Sequence, residues 1–210
     1  LFPALYAILD TNGAGEADAS LPLILASAGV KLIQIRDKKA STRKIYDVAR
    51  SLSETLRFAG VRIIVNDRPD IAALVAAGGV HVGQEDLPAE AARKICGSAR
   101  WVGVSTHSLE QLREADRTSA DYIAVGPIFP TATKENPDPD VGLEFLRAAR
   151  QLSKKPLVAI GGITIESAKS VYQAGADCVA VVRDLISTGD AAKRARDYLS
   201  IAELALSRRG

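Results

Sequence analysis

Residues 121–134 read Asp-Tyr-Ile-Ala-Val-Gly-Pro-Ile-Phe-Pro-Thr-Ala-Thr-Lys. The run Tyr122 to Val125 is short and apolar at every position, the pattern of a parallel strand buried on both faces. It breaks at Gly126-Pro127, passes Pro130, and enters a loop carrying Thr131, Thr133 and Lys134. Hydroxyl and ammonium donors at the C-terminal end of a buried strand suit an anion such as a phosphate ester or a pyrophosphate. A solvated turn with an incidental lysine is the competing reading. The rest of the chain weighs against it, because its other strands end in the same way.

Outward from this stretch the chain alternates between short apolar runs and amphipathic helical runs. Strands are expected at 4–9, 32–35, 62–65, 80–82, 101–104, 122–125, 157–160 and 178–182. Helices are expected between them, the clearest running from a cap at Ser41 or Thr42 through Ala59, with Ile45, Val48, Ala49, Leu52 and Leu56 on one face. Eight strand–helix units without an internal linker predict an α/β fold, a single (β/α)8 TIM barrel forming one catalytic domain over residues 1–210. A doubly wound open sheet is the alternative. It would want fewer strands and a Gly-rich first turn, and Gly13-Ala14-Gly15 lacks the third glycine of that fingerprint.

Composition agrees with one compact core. The chain has 210 residues, is 47% hydrophobic, and carries a formal charge of +2 with both signs interspersed. That balance gives no case for a nucleic-acid surface or a polybasic membrane patch. Cys96 and Cys178 show no metal-ligand spacing, and Cys178 sits in an apolar run as a core residue. No apolar stretch approaches membrane-span length and no signal peptide is read, so a reducing, cytoplasmic setting is expected. The first residue is Leu1 rather than Met, compatible with a removed leader or a preceding domain. A homo-oligomer is left open.

In a barrel the residues just past each strand converge on one face, where such enzymes do chemistry. Here they are Asp10; Gln34, Arg36 and Lys38; Asn66 and Asp67; Gln84 and Asp86; Ser105 and His107; Thr131, Thr133 and Lys134; Gly161 and Gly162; and Arg183. Carboxylates follow strands three and four beside cations from strands two and six. That set suits Mg²⁺ held by one or two acids together with substrate phosphate oxygens. Gly161-Gly162 would let backbone N–H groups approach a second phosphate. Taken singly, each has a plainer reading: Asn66-Asp67-Arg68-Pro69 as a turn and helix cap, Arg36 and Lys38 as solvated charges, Gly161-Gly162 as a tight turn. His81, inside a strand, reads as a packed core histidine, and His107 stands at a strand end.

Six segments carry a resemblance: QIRDK (34–38), VNDR (65–68), GVHVGQEDLP (79–88), GVSTH (103–107), GPIFPTATK (126–134) and AIGGI (159–163). On them, from about Leu5 to Leu185, the chain resembles the thiamine-phosphate synthase family of barrel enzymes. These are Mg²⁺-dependent transferases that join a hydroxymethylpyrimidine pyrophosphate to a thiazole phosphate, releasing pyrophosphate. The resemblance implies Asp67 and Asp86 as Mg²⁺ ligands, and Arg36, Lys38, Asn66 and Lys134 around the pyrophosphate. It implies Gln34 and Ser105 near the pyrimidine, with Lys134, Arg36 and Ser105 closest to the chemistry. Thr131, Thr133, Gly162, Val182 and Arg183 would fall at the thiazole phosphate. Arg183 departs from the small, often hydroxyl-bearing residue expected there. A thiazole tautomerase of similar fold, using His107 to move a proton, is one alternative. A non-catalytic sensor of thiamine precursors is another, although it would be expected to have lost the metal acids. The loop from Gly126 to Val141, with Asn136-Pro137-Asp138-Pro139, is expected to act as a lid.

Overall fold

The computed structural model describes residues 2–10, 20–131 and 139–207. In chain order the elements are β1 (Leu5–Asp10), α1 (Leu21–Ser27), β2 (Leu32–Arg36), α2 (Thr42–Leu56), β3 (Arg62–Asn66), α3 (Pro69–Leu74), β4 (Gly79–Val82) and α4 (Ala89–Cys96). They continue with β5 (Trp101–Thr106), α5 (Leu109–Asp116), β6 (Tyr122–Val125), α6 (Gly142–Leu152), β7 (Leu157–Ile160), α7 (Ile165–Ala174), β8 (Cys178–Val181) and α8 (Ala191–Leu206). The strands pair in parallel in sequence order and β8 pairs back with β1, closing a barrel. The expected (β/α)8 barrel is the observed fold.

Closure explains why the strands read as unbroken apolar runs: each side chain is buried whichever way it points. Alternation sorts them into two cores. Leu5, Ala7, Ile33, Ile63, Val65, Val102, Ile123 and Val179 face outward beneath the helices. Tyr6, Ile8, Leu32, Ile64, Tyr122, Val158, Cys178 and Ala180 fill the barrel interior. The inward series also includes Gln34 and His81, both buried. Cys178 is the core residue its surroundings suggested.

Helix α2 starts where its cap residues indicate, with the Ser41 hydroxyl accepting from the Lys44 N–H. Its periodic pattern ends in a separate 3-10 turn at Arg57–Ala59, closed by left-handed Gly60. At the N-terminal rim a pairing occurs twice. Arg93 at the end of α4 holds Asp121, whose carboxylate also accepts the Val102 N–H at 2.7 Å. Arg150 near the end of α6 holds Asp177 at 2.8 Å, and that carboxylate accepts the Leu157 N–H at 2.8 Å. Both clamps fix the starts of strands at the face opposite the strand ends that carry the polar residues. Among the described residues no helix is long and apolar enough to cross a membrane.

Candidate active site

Strand β3 runs to Asn66, and the next residue, Asp67, adopts φ +60°. A non-glycine residue pays for that conformation, so something must hold it there. Its N–H donates to the His81 carbonyl of β4 at 2.8 Å. The plainer reading of this segment as a helix cap fails: α3 begins at Pro69 with Arg68 at the cap position and no side-chain cap bond. The backbone therefore turns Asp67 away from the helix and towards its neighbours at the barrel mouth.

Those neighbours are Asp86 and Lys38. The Asp86 carboxylate is seated by the Gly83 N–H at 2.8 Å, and Lys38 Nζ lies 3.6 Å from Asp67 Oδ2. Burial, followed by the hydrogen bond and charge of Asp86, pushes the Asp67 carboxyl up to about 6, while Lys38 and Arg36 pull it the other way. Two carboxyl groups in contact, each wanting a proton or a cation between them, form a fitting pair of donors for a divalent cation that also takes phosphate oxygens. Among the described residues no group of three or more His, Cys, Asp or Glu side chains is placed to hold a metal ion by itself, so a cation at this pair would need further oxygen ligands, such as those of a phosphate.

Arg36, at the end of β2, is not a solvated charge. It makes an ion pair with Asp10 at the end of β1, and both side chains are largely buried. Asp10 thereby aims the guanidinium, a role that requires β1 and β2 to pair in register, Asp10 against Arg36.

Ser105 lies within β5, which extends to Thr106, two residues beyond the expected end. Its hydroxyl meets His81 Nε2 at 2.8 Å, and its carbonyl accepts from Gln84. Gln34 is buried and donates through Nε2 to the Tyr6 hydroxyl at 2.7 Å. His81 is a buried core histidine as expected, but one in direct contact with a predicted site residue. His107 engages the Gly126 carbonyl through Nδ1 and takes Gln111 Oε1 on its N–H at 2.7 Å, tying the end of β5 to the loop after β6.

That loop begins as an extension of the sheet: Ile128 N–H donates to the Ile160 carbonyl and Phe129 N–H to the Gly161 carbonyl. Gly161 (φ +101°) and Gly162 (φ +62°) lie directly beneath it. A Cβ on Gly161 would sit 2.5 Å from Pro127 Cα, and one on Gly162 2.5 Å from the Pro130 carbonyl oxygen. Both glycines are thus required by conformation and by close approach. Thr131 is half-buried at the end of this segment. Thr133, Lys134 and the stretch 136–138 lie outside the described residues, as does the first turn at Gly13–Gly15. Val182 follows β8 half-buried, and Arg183 opens a short 3-10 turn with its side chain exposed.

The structure thus brings Arg36, Lys38, Asp67 and Asp86 together, and sets Gln34 and Ser105 deeper in the mouth. Sequence reasoning missed Tyr6 and Tyr122, which link these last two, and the orienting role of Asp10.

Comparison with known proteins agrees over nearly the whole chain. The family model for thiamine monophosphate synthase matches residues 5–185. The thiamine-phosphate synthase of Koribacter versatilis is 48% identical over 204 residues, covering 95% of each chain. That of Syntrophomonas wolfei is 43% identical over 175 residues, covering 83% of this chain and 84% of the relative. The solved structure of thiamine phosphate pyrophosphorylase from Pyrococcus furiosus superposes with a TM-score of 0.87 at 34% identity, covering 97% of this chain and 96% of that one. A closed eight-stranded barrel with this mouth and these relatives belongs to the thiamine monophosphate synthase family, whose members are transferases.

Proposed function

We propose that the protein joins a hydroxymethylpyrimidine pyrophosphate to a thiazole phosphate, with Mg²⁺, giving thiamine phosphate and pyrophosphate. One observation carries this reading: the contacting carboxyls of Asp67 and Asp86, faced by Lys38 and flanked by the Asp10-oriented Arg36. Such a cluster has a use where a pyrophosphate departs.

When bound, Mg²⁺ supplies charge neutralisation to the leaving pyrophosphate. The residues of the chain do the rest. Arg36, Lys38, Asn66 and Lys134 hold the pyrophosphate and stabilise the charge that develops as the C–O bond breaks. Gln34 and Ser105 orient the pyrimidine, whose amino group and ring nitrogens stabilise the methylene cation until the thiazole nitrogen attacks it. Thr131, Thr133, Gly162, Val182 and Arg183 hold the thiazole phosphate. Gly162 suits this because it is exposed and its N–H meets no acceptor among the described residues. No protein nucleophile is needed. Positioning and exclusion of water suffice, since water would otherwise capture the cation.

The test is formation of thiamine phosphate from the two purified substrates, with Mg²⁺ and with a chelator. Metal-dependent product supports the reading. Interconversion of thiazole isomers without product would instead indicate a tautomerase, and tight binding without turnover a sensor.

A further inference from the structure

Inside the barrel five polar side chains from five strands form one continuous chain. Gln34 Nε2 donates to the Tyr6 hydroxyl at 2.7 Å. The Tyr6 and Tyr122 hydroxyls are 3.1 Å apart, the Tyr122 hydroxyl is 3.1 Å from His81 Nδ1, and His81 Nε2 is 2.8 Å from Ser105 Oγ. The Tyr122 ring stacks on the imidazole at 5.5 Å and meets Tyr6 edge-on at 6.1 Å. Gly103 makes room for that ring: a Cβ there would stand 2.0 Å from Tyr122 Cζ.

Proton counting gives the chain a direction. Gln34 presents its NH₂ to Tyr6, so the single Tyr6 proton must go to Tyr122. Tyr122 then has one acceptor left for its own proton, His81 Nδ1. A histidine accepting at Nδ1 carries its proton at Nε2 and donates it to Ser105 Oγ. With the Gln34 NH₂ turned to Tyr6, the opposite direction would leave the Tyr6 proton without an acceptor, at a cost of about 1–3 kcal/mol; only a turned-over Gln34 amide would let the chain run backwards. Burial pushes both phenols well above their ordinary range, which keeps the protons on them. At the two ends remain the Ser105 O–H, as a donor, and the Gln34 carbonyl oxygen, as an acceptor, neither with a partner among the described residues.

We propose that Tyr6 and Tyr122 are positioning residues for substrate recognition: their hydroxyls fix Ser105 as a donor and Gln34 as an acceptor, a pair complementary to the ring-nitrogen and amino edge of an aminopyrimidine. This rests on the assignment of the pyrimidine pyrophosphate to this mouth. Both tyrosines are fully buried, so they act through Ser105 and Gln34. They do so by coupling the two ends, so that Ser105 donates when Gln34 accepts.

The test has two parts. Nitrogen-15 shifts of His81 in the ligand-free protein read the tautomer: Nδ1 unprotonated is expected, and a proton on Nδ1 overturns the relay. Kinetics of Tyr122→Phe, which keeps the ring but removes the hydroxyl, should show KM for the pyrimidine pyrophosphate raised about tenfold with KM for the thiazole phosphate unchanged. Preference for the substrate over an analogue with hydrogen in place of the amino group should shrink by a similar factor. Tyr6→Phe should move the same quantities, and the double variant should be no worse than the poorer single one. Tyr6→Phe alone carries the test should Tyr122→Phe not fold. Equal losses for both substrates, or losses that multiply, overturn the relay while wild-type product formation leaves the reaction assignment standing. A wild type that forms no thiamine phosphate overturns the assignment, and the substrate role of the relay with it.

Discussion

Gly103→Ala isolates the packing on which the barrel mouth depends. Gly103 faces the interior from the middle of β5, and its backbone is not in the left-handed region, so conformation alone would admit alanine. Space would not. The added Cβ would lie 2.0 Å from Tyr122 Cζ and 2.4 Å from its hydroxyl oxygen, whereas carbon atoms rest about 3.5–4.0 Å apart. The ring must therefore retreat by roughly 1.5–2 Å. It has nowhere to go, being fully buried between His81, Tyr6, Phe2 and Trp101. Overpacking costs about 1–3 kcal/mol, and losing the bonds to Tyr6 and His81 adds about 0.5–1.5 kcal/mol each. A total loss of roughly 2–6 kcal/mol is expected by urea unfolding. Gly60→Ala is the control, with open space around its Cβ but φ +68°, and should lose only about 1 kcal/mol from backbone strain. In a Tyr122→Ala background the Gly103→Ala change should lose most of its effect, because the colliding ring is gone. A loss under about 1 kcal/mol for Gly103→Ala, or full additivity with Tyr122→Ala, would refute the steric account.

Three further outcomes follow from the site. Asp86→Asn should nearly abolish Mg²⁺-dependent thiamine phosphate synthesis while preserving the barrel by circular dichroism, and undiminished turnover would remove the metal role assigned to it. Arg183→Ala should raise KM for the thiazole phosphate selectively, by up to about tenfold for one charge-assisted phosphate contact, and an equal change for both substrates would place that side chain outside the site. For pH, the Asp67 carboxyl stands near 6 in the fold against an ordinary 3.8. A raised acid favours its neutral form in the native state, so its stabilising contribution is complete below the ordinary value and is lost as pH rises through about 6. With a chelator present, unfolding free energy should therefore fall between pH 4 and 7, and Asp67→Asn should flatten that part of the profile; a wild-type profile already flat there would contradict the pairing with Asp86.

How much of this was legible in the sequence follows from how local each interaction is. The strands were readable because double burial writes itself into every residue of a run such as Tyr122 to Val125. Asp67 and Asp86 were readable because strand ends in a barrel point to one face, although the unusual backbone that frees Asp67 from a capping role was not. What lay hidden were contacts set by barrel closure. Tyr6 meets Tyr122 across 116 residues and His81 meets Tyr122 across 41, and an apolar run does not reveal which tyrosine hydroxyls will share its interior. Arg36 looked like a solvated charge for the same reason, since Asp10 reaches it only when β1 and β2 align. One signal for the hidden network stands in the sequence: Gly103, a glycine in mid-strand where an apolar side chain would pack better, marks a place where something large comes close. In this barrel that neighbour is the Tyr122 ring. The residues that tune the polar mouth are thus ones the apolar pattern files under core, and they become visible only when the sheet is closed and the protons are counted.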